Sequence, residues 1–195
     1  MLTAQLNAAC RIRSIPAFTC LLLSLFSVTA EAAAVSQPSQ SDVEAVYLFD
    51  FGKFVHWPSG ADQGAMNICV AGSPSFSSGL ERVIANEHIG GRVLDVRRIS
   101  RADEENGCAI LFIDVTERDH ADELLQAVAD KPTLTVSDLP NFLSRGGMIQ
   151  FQVVEKRVRF SVNLDAVNHG HLTMSSELLK VAMSVKGRTP EGGAQ

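Results

Sequence analysis

MNICVAGSPSFSSGLERVIA, residues 66–85, reads as a strand, a turn and a helix in immediate succession. Met66 to Ala71 is a short apolar run bounded by turn residues, the pattern of a buried strand. Gly72-Ser73-Pro74 turns the chain, and Phe76 to Ala85 continues as a helix. The same alternation extends downstream. GRVLDVRRIS (Gly91 to Ser100) contains a second strand, with Val93, Asp95 and Arg97 alternating against Leu94 and Val96. CAILFIDVTE (Cys108 to Glu117) is a third, running into a helix from Arg118 to Ala129. Pro132 to Val136 is a fourth, and Ser137 to Phe142 a turn with a short helix. Strands alternating with helices predict a mostly parallel sheet covered on both faces.

The rhythm then changes. Met148 to Val154 and Arg157 to Asn163 both alternate, so that Ile149, Phe151 and Val153 share a face with Val158, Phe160 and Val162. Glu155-Lys156 joins them as a tight hairpin. A last helix is predicted from about Ser175 to Val185. The expected fold is therefore α/β: a single three-layer domain, mostly parallel sheet with helices on both faces and an antiparallel edge hairpin. No internal repeat is visible.

Upstream, YLFDFGKFVHWP (Tyr47 to Pro58) gathers five of the twelve aromatic residues of the chain. Val43, Tyr47, Phe51 and Phe54 have the spacing of one helix face, and Trp57-Pro58 stops that helix. Such a stripe is the mark of a core helix. Before it, Arg11 and Arg13 precede an apolar run from Ala17 to Val28, and Ala30-Glu31-Ala32 fits a small-residue cleavage site. The run is short for a membrane span. Residues 1–32 are expected to be a cleaved signal peptide, 33–41 a mobile lead-in, 42–186 the α/β domain and 187–195 a disordered tail.

The formal net charge is −5, and −6 once residues 1–32 are removed. An acidic balance argues against a nucleic-acid partner. Removal also takes Cys10 and Cys20, leaving Cys69 and Cys108 in an oxidising compartment. In the common doubly wound order the first and third strands are neighbours. A Cys69–Cys108 disulfide is then geometrically reasonable, against the alternative of two buried free thiols. Such a bond would contribute roughly 3–4.5 kcal/mol in the chain-entropy model.

Catalytic signals are weak. Gly72-Ser73-Pro74-Ser75 opens a helix but matches neither phosphate-binding glycine pattern. There is no G-x-S-x-G elbow. None of His56, His88, His120, His169 and His171 sits at metal-ligand spacing from either cysteine, and His169-Gly170-His171 reads as a loop. Asp103-Glu104-Glu105 reads as a solvated loop, and Arg92, Arg97, Arg98 and Arg101 split across two strand faces. Gly146-Gly147 supplies positive φ or a close backbone approach. No catalytic, cofactor-binding or metal-binding set is expected, and the chain does not read as an enzyme.

YLFDFGKFVHWP resembles the opening signature of the YfiR family of periplasmic proteins. The resemblance continues through GRVLDVRRIS and CAILFIDVTE, and is strongest over TVSDLPNFLSRGGMIQF (Thr135 to Phe151), VRFSVNLDA (Val158 to Ala166) and LTMSSELLKVA (Leu172 to Ala182). It implies a non-enzymatic, often dimeric periplasmic regulator. The expected partner is the periplasmic sensor domain of an inner-membrane diguanylate cyclase, whose repression lowers cyclic-di-GMP and biofilm formation. Cys69 and Cys108 fall where the family's common disulfide falls. Asp50, Gly52, His56, Asn141 and His171 depart from the family's usual residues, and the second cysteine pair of some members is missing. The alternative expectation is a periplasmic small-ligand-binding accessory protein feeding a sensor histidine kinase, with Gly72 to Ser75 and the aromatic helix lining its pocket. A hydrolase is disfavoured by the lack of any nucleophile–base pair. Exposed apolar residues on the hairpin or the last helix are the first candidates for partner contact.

Overall fold

The six residues Cys108–Ile113 are all buried, and the main sheet is built around them. In a computed structural model of the chain, residues 38–60 and 64–187 are described. The expected signal segment, the lead-in before Pro38 and the tail after Gly187 lie outside them. In chain order the elements are α1 (Gln40–Phe54), β1 (Val55–His56), β2 (Met66–Ala71), α2 (Pro74–Ile84), β3 (His88–Ile89), β4 (Arg92–Ile99), β5 (Cys108–Ile113), α3 (Ala121–Ala127), β6 (Leu134–Ser137), β7 (Ile149–Val154), β8 (Arg157–Asn163), α4 (Leu164–His169), β9 (Thr173–Met174), α5 (Ser176–Val181) and β10 (Ser184–Lys186). Among the described residues the main sheet has the order β10-β8-β7-β6-β5-β2-β4-β3.

Its centre, β4-β2-β5-β6-β7, is parallel, as the alternation of strands and helices predicts. The first strand of the parallel set, β2, lies between the second and the third, which is the doubly wound order. The hairpin pairs Ile149 with Val162, Phe151 with Phe160 and Val153 with Val158, the faces expected from alternation. Glu155 and Lys156 both take positive φ, 50° and 62°, so the two-residue turn follows the twist of its strands.

Two apolar layers enclose the sheet. On one face α1 and α2 pack over Ile68, Val70, Phe112, Phe151 and Phe160. On the other, α3 and the turn after β6 cover Cys69, Leu111, Ile113 and Phe142. The entry to α1 is fixed by a capping box: Ser39 Oγ accepts from Asp42 N, and Asp42 accepts from Ser39 N. Tyr47 and Phe51 then meet the Phe151 and Phe160 rings of the hairpin at centroid distances of 5.1 to 5.8 Å. The signature helix is thus a core helix, though its buried face is Ala45, Leu48 and Phe51, with Tyr47 at its margin.

Several boundaries differ from the sequence reading. Phe54 is exposed rather than part of the stripe, because α1 ends there and the extended chain turns Val55 inward instead. The lead-in ends earlier than residue 41, since Ser39 is already the helix cap. The helix expected from Arg118 starts only at Ala121, after a 3-10 turn at Val115–Glu117 capped by Asp114. The short helix expected before Phe142 follows it, at Phe142–Arg145. The last predicted helix is split: α5 ends at Val181, and Ser184–Lys186 instead pairs parallel to β8 opposite Ser161–Asn163. That added strand covers the inner half of the hairpin's outer strand and leaves Arg157–Arg159 at the edge. His169 is the last residue of α4 rather than part of a loop.

Candidate functional site

In a doubly wound sheet, the crevice at the C-terminal ends of the strands flanking the switch point is the usual ligand position. Here that crevice lies beyond β2 and β5. Gly72 follows β2 with φ +133°, and a Cβ there would stand 2.2 Å from Asp114 Cβ, so only glycine lets the two loops meet. Asp114 follows β5, and its Oδ1 accepts from Thr116 N and Thr116 Oγ1, both at 2.8 Å. Asp138 follows β6. Glu44, on α1, is buried at 2 % exposure.

These three acids influence one another. Burial pushes the Glu44 carboxyl up to about 7, with the charges of Asp138 and Asp114 adding to the rise and the Gln40 amide (2.8 Å) opposing it. Burial also pushes Asp138 up to about 6, with Asp114 adding like charge and the Asp138 and Val115 N–H groups opposing. Asp138 Oδ1 is buried without a hydrogen-bond partner, as is Ser77 Oγ on α2. Glu44 and Asp138 are thus two acids whose carboxyls are raised toward neutral pH. Among the described residues no three His, Cys, Asp or Glu side chains are placed to hold a metal ion.

The sequence reading missed this trio, which comes from three distant segments. Its own candidates fall elsewhere. Ser73 and Ser75, at the turn after β2, hydrogen-bond each other at 2.6 Å. Of the acidic loop, Glu104 caps the chain by accepting from Ser100 N at 2.7 Å. Glu105 is buried and paired with Lys131, so the expectation of a solvated loop is corrected there. Arg97 binds the Asn106 and Glu104 carbonyls, a loop clamp. Gly146 takes φ +97°, while a Cβ on Gly147 would lie 2.2 Å from the Phe142 ring; each glycine meets one of the two expected needs.

Cys69 and Cys108 are joined by a disulfide, with Cα atoms 5.7 Å apart. The bond ties β2 to the start of β5 inside the second core layer. Two clefts accompany these features. One, of about 550 Å³, lies beside α3 and α4 and is bordered by Arg145, which is held by Asp122 at 2.7 Å. The other, of about 400 Å³, lies at the end of α1 beside Lys53, His56 and Trp57. Trp57 is anchored by its Nε1, which donates to Ala109 O at 3.3 Å.

A third feature is surface. At the β10 end of the sheet Val181, Met183 and Val185 are exposed by 66, 47 and 41 %. The hairpin adds Val153 and Val154, at 55 and 41 %. The hairpin and the last helix are where exposed apolar residues are expected to meet a partner; Val181 ends α5, Met183 follows it and Val185 lies on β10.

The architecture is that of a disulfide-stapled, doubly wound α/β domain. The chain belongs to the YfiR/HmsC-like family, whose model matches residues 41–183. That family consists of periplasmic regulators of cyclic-di-GMP signalling rather than enzymes. Among solved structures, a conserved domain protein from Vibrio cholerae O1 biovar El Tor shares the fold with a TM-score of 0.55 at 13 % identity. The match covers 77 % of this chain and 62 % of that one. No helix among the described residues is long and apolar enough to cross a membrane.

Proposed function

We propose that this protein is a periplasmic repressor that binds the periplasmic sensor domain of an inner-membrane diguanylate cyclase, lowering cyclic-di-GMP and biofilm formation. Its membership of the YfiR/HmsC-like family across residues 41–183 carries this reading. The exposed apolar residues Val181, Met183 and Val185, close together in sequence, support it, because exposed apolar groups that gather favour protein contact. The N-terminal segment 1–32 would deliver the chain to the periplasm and be removed there. Repression needs no chemistry. It requires the protein to bind the cyclase's inactive state better than its active one, by a few kcal/mol for a near-complete shift.

Cellular cyclic-di-GMP in a deletion strain, its parent and a complemented strain tests this directly. A rise reversed by complementation is the expected result. An unchanged level would overturn the cyclase partner and move the weight to a ligand-binding accessory of a sensor kinase, for which the cleft bordered by Arg145 offers the space.

A further inference from the structure

The outer strand of the hairpin ends the sheet with an unusual combination. β10 covers Ser161–Asn163 only, so Arg157–Arg159 present an open strand edge among the described residues. Lys156, Arg157 and Arg159 are all exposed. None of the three side chains has an ion pair or hydrogen bond among the described residues, in contrast to Arg97, Arg101 and Arg145. Beside them runs a groove of about 500 Å³ between the hairpin and the first half of α1, with Val43, Tyr47, Val153 and Val158 in its walls. Three unpaired cations thus gather on a chain whose net charge is −5.

We propose that this corner binds an extended acidic segment of another protein, added as a short strand at Arg157–Arg159, with its carboxylates on the three cations and an apolar side chain in the groove. An open edge supplies main-chain pairing, and alternate side chains supply specificity. Charge complementarity selects the occupant. A second copy of this chain is disfavoured, because antiparallel pairing of two such edges would set arginines against arginines. A membrane surface would use the charges but not the strand edge. The inference rests on the proposed function in one respect, that the occupant is a protein.

Fluorescence anisotropy with the oxidised mature protein tests it, using a labelled peptide alternating Glu and Val. Two control peptides replace Glu with Lys, or carry N-methyl groups on the amides of one edge. The Glu peptide should bind and both controls should fail. Arg157→Glu with Arg159→Glu should weaken binding by about tenfold or more, and Arg157→Gln with Arg159→Gln by less. Circular dichroism checks that the variants stay folded. Equal binding of the N-methylated peptide, or undiminished binding by the charge-reversed variant, would overturn the inference. So would failure of the Glu peptide, whether or not the protein instead binds phosphatidylglycerol vesicles or self-associates through the same arginines. None of these outcomes depends on cellular cyclic-di-GMP, so the two readings fail separately.

Discussion

Glu44→Gln should make this protein more stable, and only above mildly acidic pH. Glu44 is 2 % exposed, and its carboxyl rises from an ordinary 4.5 to about 7 in the folded chain. The cause is burial first, then the neighbouring Asp138 and Asp114. The folded state therefore holds the proton more tightly than the unfolded state. Below pH 4.5 both states are protonated and nothing is lost. Between 4.5 and about 7 the unfolded chain ionises first, so stability falls as pH rises. Above 7 the full cost is present, about 3 kcal/mol at ~1.4 kcal/mol per pH unit. Glutamine keeps the shape and an oxygen for the Gln40 amide while removing the ionisation.

The assay is urea unfolding of wild type and variant, disulfide intact, at pH 4.5, 6, 7 and 8. The two should coincide at pH 4.5 and separate progressively, with the variant ahead by up to about 3 kcal/mol at pH 8. Comparing them at each pH removes the opposite trend of the exposed Asp42 and Asp122, whose carboxyls are lowered by hydrogen bonds from Ser39 and Arg145. A difference that does not change with pH, or a variant weaker at pH 8, would refute the reasoning. Asp138 adds like charge beside Glu44 and so helps to hold its proton, after burial, the larger cause. Asp138→Asn should accordingly let the Glu44 carboxyl fall back toward its ordinary value, so that the Glu44→Gln advantage levels off at a lower pH and is smaller at pH 8.

Replacing both cysteines by alanine should cost about 4 kcal/mol by the loop the bond closes, read as a lower urea midpoint, while Cys69→Ala alone should do no better. Gly147→Ala drives a methyl into the Phe142 ring and should cost about 1–3 kcal/mol, whereas Gly79→Ala, whose nearest contact is a flexible arginine at 3.6 Å, should stabilise α2 slightly. Val181→Asp with Met183→Asp should change the melting temperature little, both residues being exposed, yet raise cellular cyclic-di-GMP toward the deletion level. An unaltered cyclic-di-GMP level would remove that row from the partner interface.

The parts of the fold that were legible in sequence are those with an uninterrupted period. β2 and α2 follow directly from residues 66–85, and the hairpin from two strands of alternating valines and phenylalanines. The α5–β10 junction was missed because a period of two hides inside a helical run. Val181, Met183 and Val185 alternate with Ala182, Ser184 and Lys186, which is the strand signal that could have found it. The acid trio carried no local signal at all. Asp114 and Asp138 each follow a strand end, and a parallel sheet brings such ends to one edge. Glu44 stands one residue after Val43 of the apolar stripe, and only the folded structure shows that it is buried. Glu105 was misread for a similar reason, since its partner Lys131 is remote in sequence.

The same asymmetry explains why the family determines more about the interior than about the partner. The family's aromatic signature contributes Phe51, which is buried, and Tyr47, which packs against the same layer; the later segments contribute Phe112, Phe151 and Phe160 to one apolar layer. Changing any of these leaves a cavity and costs several kcal/mol, about 3–5 for a phenylalanine. The fold itself is shared with a solved structure at 13 % identity. Arg157, Arg159, Val181 and Met183 answer to no such constraint. Substitutions at exposed positions usually move stability by no more than about 0.5 kcal/mol. The charges and apolar groups at the hairpin's outer edge are therefore free to vary with the partner. If these residues meet the proposed partner, mutations there should weaken recognition while leaving the domain folded, and so separate function from stability.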